Sequence, residues 1–371
     1  MWLANTGQIG KAKMHLLLII FIALATCVKT DETVAVNITP KPHPIYIEQG
    51  AAAQYLNFDF VVENLTNEKL LVSSIEVSVF DQTGRLVLRR FIDGNGTRPS
   101  IETLNSREIE GKKTILIFNP FHAFSNQVEL KKLRYEFSFR APGQKKEYKR
   151  EVTVVPVTYE TKTNLILPVK GRMIIYDGHD FYAHHRRFDY LIPGLQQLGF
   201  NSNFMRYSYD FVPVNRQGEM YQGREENNQS YFGFGVSLVA AGDGKIAAIV
   251  DDRPDSRAFN EAELASNLMV LWGNYVVIDH LNGEYSLYGH IKQGSGKVKI
   301  GETVRQGQVI AQMGASGSSQ FPHLHYELQT GSDMKAEGLP SYFRNFRRIL
   351  GSKMIVVKRG QVDTGDIVEA Q

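Results

Sequence analysis

The chain has almost no cysteine. Cys27 is the single one in 371 residues, which excludes an intramolecular disulfide framework and leaves stability to packed cores. Charge of one sign is missing as well. The 42 Lys and Arg nearly balance 39 Asp and Glu for a net charge of +3, so nothing argues for a nucleic-acid partner and none is expected. The longest apolar run, Leu16 to Ala25, is too short for a transmembrane span, and none is expected once a signal segment is removed. Two other chemistries lack their motifs. "GASGS" (314–318) ends in serine and sits in a glycine turn, unlike a nucleophile elbow, and "GSGK" (294–297) lacks the spacing and following helix of a phosphate loop.

What is present begins with a secretory layout. Lys11 and Lys13 precede the apolar run, and Ala23-Leu24-Ala25 offers a small-x-small cleavage site, so residues 1–25 read as a signal peptide and the protein as exported to the periplasm or cell envelope. Cys27 in "LATC" lies close to a lipid-attachment pattern, although Thr26 stands where a smaller residue is expected.

The remainder reads as mainly β, in two halves. Residues 34–157 hold short alternating segments, among them "YLNFDFVVEN" (55–64), "SSIEVSVFD" (73–81) and "LRYEFSFRA" (133–141), divided by Gly and Pro turns. Such spacing without a helix predicts an immunoglobulin-like β-sandwich that binds or positions. Residues 158–202 read as a connecting segment. From 203 to 340 the texture is glycine-punctuated and antiparallel, with a weak repeat between 235–252 and 299–319 and a hairpin turning at Asn282-Gly283. Residues 341–371 read as a basic amphipathic tail, with a short helix over "YFRNFRRIL" (342–350) and a mobile end.

Histidines cluster in the second half. His184, His185, His280, His290, His323 and His325 lie there, with His179 just upstream. In "FPHLHYEL" (321–328), alternation along a strand points His323 and His325 to one face. A His-x-His pair with a third histidine and a carboxylate is a donor set that suits zinc, leaving a coordination position open for water.

Five segments together resemble the LytM/lysostaphin-type zinc metallopeptidases, which cut peptide cross-links of bacterial peptidoglycan: "VAAGDGKI", "NYVVIDH", "YSLYGHI", "GETVRQGQVIAQMGASGSS" and "PHLHYEL". The resemblance covers about residues 203–332. It implies an antiparallel β-domain with zinc in a groove, His325 and Asp210 as ligands, His290 and His323 as catalytic groups, and His280 lining the groove without ligating. The chain departs from that pattern at Arg206, where the family carries a ligand histidine four residues before the aspartate. A guanidinium offers no lone pair. His184 or His185 is therefore expected to complete the site, and Arg206 to bind substrate or pair with an acid. Two functions fit: a zinc endopeptidase acting on peptidoglycan peptides, or a degenerate groove presented to the wall or to another envelope enzyme.

Overall fold

The computed structural model describes residues 35–370 apart from Lys146. The predicted signal peptide and Cys27 lie outside the described residues. No helix among the described residues is long and apolar enough to cross a membrane.

The first half is built from alternating strands, as its pattern dictates. Strand Leu70–Phe80 is paired on one side with Lys132–Arg140 and on the other with Leu86–Asp93. Its inward residues Ile75, Val77 and Val79 are fully buried. A second sheet pairs Asp59–Asn64 with Val36–Lys41 and Thr114–Phe118. Both sheets supply one core, in which Phe60 meets Tyr135 and Phe137 edge to face at 4.9 and 5.0 Å. Edge-to-face packing is the favoured arrangement of aromatic quadrupoles.

The second half is organised on a twelve-stranded sheet. Its functional centre runs in the order Gly171–Asp177, Tyr209–Pro213, Leu324–Gln329, Tyr285–Gly289, Tyr275–Asp279. The Asn282-Gly283 hairpin forms as predicted, with Tyr275 opposite Gly289 and Asp279 opposite Tyr285. The two repeat units pair crosswise: Ser237–Val239 with Val309–Gln312, and Gly244–Val250 with Thr303–Val304.

Three expectations are corrected. The segment 158–202 is not merely a connection, since Leu165–Ile166 and Gly171–Asp177 are strands of the large sheet. The tail is neither helical nor loose: Phe343–Leu350, Lys353–Gly360 and Ile367–Ala370 are strands of the same sheet. Asn345, at φ 56°, interrupts the pairing of Phe343–Leu350, and Phe343 and Phe346, three residues apart, are both buried. A kinked strand thus reproduces the i, i+3 apolar spacing of a helix. Finally, the halves are continuous. Ala35–Gln371 forms one compact unit, because Leu116 and Phe118 of the first half share a hydrophobic cluster with Phe200, Phe204, Trp272 and Leu287.

An ion network also crosses this junction. Asp59, with 0% exposure, accepts from Arg186 Nη1 at 2.5 Å and Arg206 Nη1 at 2.7 Å. Arg206 Nε donates to Glu337 at 2.6 Å, and Arg186 Nη2 to the Phe58 carbonyl at 2.6 Å.

Candidate metal centre and cleft

Strand pairing assembles the centre. Asp210 lies directly across from His325, and Gly289 lies across from His325 on its other side, which delivers His290 to the end of the same rung. His323 precedes its strand by one residue and shares the face of His325. The turn after Gly171–Asp177 brings His184 and His185 over the sheet from far upstream in the chain.

Asp210 Oδ1 gathers imidazole nitrogens from two directions. Asp210 Oδ1 lies 3.1 Å from His325 Nδ1 and 3.5 Å from His185 Nε2. Tetrahedral zinc with bonds of about 2.0–2.1 Å sets its ligand atoms about 3.3–3.4 Å apart. The two spacings bracket that edge, so each imidazole stands from Asp210 at the distance that ligands of one such ion keep. His185 is held for this role: its Nδ1 donates to the Gly178 carbonyl at 3.0 Å, with Asp177 Oδ2 at 3.3 Å, leaving Nε2 with its lone pair toward Asp210. A carboxylate and a carbonyl behind a ligating imidazole fix its tautomer and orientation. Asp177 also stands across the strand pair from Asp210, and the His185 ring separates the two carboxylates. Asp177, His184, His185 and Asp210 form a group of donors within reach of a common ion. His184, more exposed, has its Nδ1 2.6 Å from Asp177 Oδ2 and stands at the rim, whereas His185 faces Asp210.

Two further imidazoles face the cleft, and one of them, His323, also brings its Nε2 to 3.5 Å from Asp210 Oδ1. His290 Nδ1 donates to the Ser316 carbonyl at 2.8 Å, and His323 Nδ1 to the Phe321 carbonyl at 2.8 Å. A carbonyl only accepts, so both rings carry the proton on Nδ1 and keep Nε2 as a base. Their centroids are 4.8 Å apart. Trp272 stacks on His325 at 4.1 Å and meets His290 edge-on at 5.7 Å, fixing both. These groups line a cleft of about 300 Å³, with Tyr176, Phe188 and Phe321 among its apolar walls.

Electrostatics follow from burial and proximity. Burial raises the Asp210 carboxyl, but the His185 and His323 imidazoles outweigh it and hold the group well below the usual carboxylate range. Burial pushes His290 well below the ordinary imidazole value, reinforced by His323 and His325. Burial likewise holds His185 well below, against the pull of Asp210. His325 goes the other way. Burial would lower it, but hydrogen bonds to Asp210 and Glu327 raise it to about 9.

The backbone that presents His290 is unusual. His290 adopts φ 60°, and its nitrogen donates to the Trp272 carbonyl at 3.0 Å. Gly273, at φ 62°, packs so closely on Gly317 that a Cβ on either would collide with the other's backbone. That contact seats the 314–318 turn under His290. Ser316 accepts from the Asn274 nitrogen at 2.9 Å and donates to the Ile291 carbonyl at 3.0 Å. The "GASGS" turn is a support for a histidine.

One site expectation is narrowed and one is corrected. Arg206 is fully buried against Asp59 and Glu337, so it meets an acid rather than a substrate. His280 does not line the cleft; its Nδ1 is 2.7 Å from the Asp243 carbonyl and its Nε2 2.6 Å from Ser286 Oγ, which satisfies the ring within the hairpin. Sequence reasoning missed Asp177, Trp272 and Ser316. Trp272 carried a faint signal as one of only two tryptophans.

A β-sheet cleft in which histidines gather on one aspartate presents donors of the kind a metallopeptidase uses. Residues 234–336 match Peptidase family M23, and the chain carries a domain of that family. The matched span includes His290, His323 and His325 and excludes His185 and Asp210. The chain is 32% identical over 126 residues to the peptidoglycan DD-endopeptidase ShyC of Vibrio cholerae, covering 34% of this chain and 25% of that protein. It is 30% identical over 116 residues to the murein hydrolase activator EnvC of Escherichia coli, covering 31% and 24%. The chain thus spans about a quarter of the length of these relatives. Among solved structures, a zinc containing peptidase from Vibrio cholerae is 14% identical with a TM-score of 0.24, covering 78% of this chain and 80% of that one. The catalytic domain of lysostaphin from Staphylococcus simulans is 21% identical with a TM-score of 0.24, covering 38% and 79%.

Proposed function

We propose that the protein is an exported zinc endopeptidase that hydrolyses peptide bonds of peptidoglycan in the cell envelope. The observation that carries this reading is the gathering of His185 and His325 on Asp210, with the Nδ1-protonated rings of His290 and His323 beside them in one cleft. When bound to the three donors, zinc supplies Lewis acidity toward a peptide carbonyl and acidifies water near neutral pH. The protein groups do the rest. Either imidazole accepts a proton from the attacking water as the new C–O bond forms, and the protonated ring then donates to the developing oxyanion or to the departing amine nitrogen as the C–N bond breaks. The products are one carboxylate and one amine. The role of the β-layered first half, up to about residue 157, is to bind or position, and the peptidase domain, expected over 203–340, takes in the flanking strands from Leu165 to Ala370 together with the turn that carries His185.

The relative named as an activator makes a second reading specific: a groove that binds a partner enzyme without chemistry of its own. Loss of the ligand histidine at position 206 pointed that way, and His185 answers it from a different segment. Incubation of the zinc-loaded full chain with purified peptidoglycan, followed by mass spectrometry of the muropeptides, tests the choice. Conversion of cross-linked dimers to monomers, abolished in His323→Ala, is the expected result. Intact cross-links with the parent protein would leave only the binding reading.

A further inference from the structure

A second cavity, of about 240 Å³, lies where the first half meets the turn that carries His185, and it shares no lining residue with the cleft. Its walls include Glu48, Asn57, Asp180, Asp363 and, on the apolar side, Phe181 and Leu56. Two buried acceptors here have no partner. Glu48, 1% exposed, uses Oε2 for both His179 Nε2 at 2.8 Å and Gln361 Nε2 at 2.6 Å, leaving Oε1 unpaired. Asn57, 5% exposed, has its amide oriented by donation to the Arg206 carbonyl at 2.8 Å, leaving Oδ1 unpaired. His179 Nδ1 is a third unpaired atom on the same wall. Orphaned buried polar atoms carry a cost unless something fills their hydrogen bonds.

The chemistry of the walls selects the occupant. Glu48 Oε1 and Asn57 Oδ1 only accept, so the occupant must donate. Three carboxylates line the space, Glu48, Asp180 and Asp363, against the His179 imidazole paired with Glu48 and one guanidinium, Arg186, committed to Asp59 and the Phe58 carbonyl. A cation is therefore favoured. The apolar walls, including Phe181 stacked on His122 at 4.3 Å, suit a carbon chain rather than a bare ion.

We propose that this cavity is a second binding site, for a primary ammonium group on a short alkyl chain. Its occupation bears on the cleft through one turn. His179, Asp180, Phe181 and Arg186 line the cavity, Gly178 supplies the carbonyl that orients His185, and His184 and His185 line the cleft. An occupant that fixes the turn pre-orders a zinc donor, and by reciprocity zinc tightens the occupant.

The test is calorimetric titration of the full chain with n-butylammonium and with n-butanol, which matches it in shape and lacks the charge. Saturable 1:1 binding of the amine is expected, at least about tenfold tighter than the alcohol. It should weaken by a similar factor in Glu48→Gln or Asp363→Asn; Asp363 is partly exposed, so that variant keeps the test alive if Glu48→Gln fails to fold. Zinc affinity should rise by about fivefold or more with amine present. Nα-acetyl-lysine N-methylamide identifies the source: tighter binding than butylammonium assigns the site to a lysine side chain of a peptide, and weaker binding to a free amine. No saturable binding, equal binding of the alcohol, or full affinity in both variants would overturn the proposal and leave the cavity to water. Binding is read without hydrolysis, so its failure does not touch the peptidase reading.

Discussion

Asp59→Asn removes the anion that two buried arginines share, and its consequences differ for each. Arg206 keeps Glu337 at 2.6 Å. Arg186 keeps the neutral Phe58 carbonyl and the face of Phe118 at 5.4 Å but no anion, so its charge is left without a counter-ion inside the protein. Removing one partner of a buried ion pair typically costs about 3–5 kcal/mol. With an unfolding entropy of about 2.1 cal/mol/K per residue, a unit of this size loses roughly 1.4 °C per kcal/mol, so the melting temperature should fall by about 4–7 °C. Arg186 follows His185 directly in the chain, and the damage should extend to zinc affinity. Scanning calorimetry with a parallel zinc titration measures both. Replacing the whole network, with Asp59→Leu, Arg186→Met, Arg206→Met and Glu337→Met together, should recover most of the stability, because apolar groups of similar size can stand in for a buried network. A melt for Asp59→Asn within about 1 °C of the parent would refute the reasoning, since it would mean that Arg186 finds water or another partner.

Other outcomes follow from the same geometry. His290→Ala and His323→Ala should each lower kcat by about 10²–10⁴-fold while leaving zinc content near that of the parent, as read by muropeptide kinetics and elemental analysis. Arg206→His should destabilise the protein without adding a zinc donor, because position 206 faces Asp59 and Glu337; a melt as high as the parent's with gained zinc would contradict this. Gly273→Ala should cost about 1–3 kcal/mol from its left-handed backbone alone, and more from collision with Gly317, with activity falling as His290 shifts. His179 is pulled down by burial but raised overall by Glu48, so its contribution is complete below the unfolded imidazole value and is lost as pH rises through the folded one. The stability gap between the parent and His179→Gln should therefore be wider at pH 6 than at pH 9, measured by denaturant titration.

How much of this was legible in the sequence depended on whether the determinant was local. His323 and His325 were readable as a pair because strand alternation has period two, and the Asn282-Gly283 hairpin because its turn residues announce it. Asp210 opposite His325 is a matter of register between distant strands, which composition does not encode. His185 was one of two adjacent candidates, and its selection rests on an irregular turn tied down by Gly178 and Asp177. Arg206 looked like a damaged ligand because its partners, Asp59 and Glu337, are 147 and 131 residues away. The tail misled for a physical reason. A left-handed asparagine lets two phenylalanines three apart reach one core, and the pattern imitates a helix.

The central claim is that His185, from outside the recognised pattern, completes a zinc site with Asp210 and His325. Metal content of the purified full chain by mass spectrometry, compared between His184→Ala and His185→Ala, tests it most directly. About one zinc per chain is expected in the parent and in His184→Ala, with loss of zinc in His185→Ala. Zinc retained in His185→Ala, or lost only in His184→Ala, would contradict it.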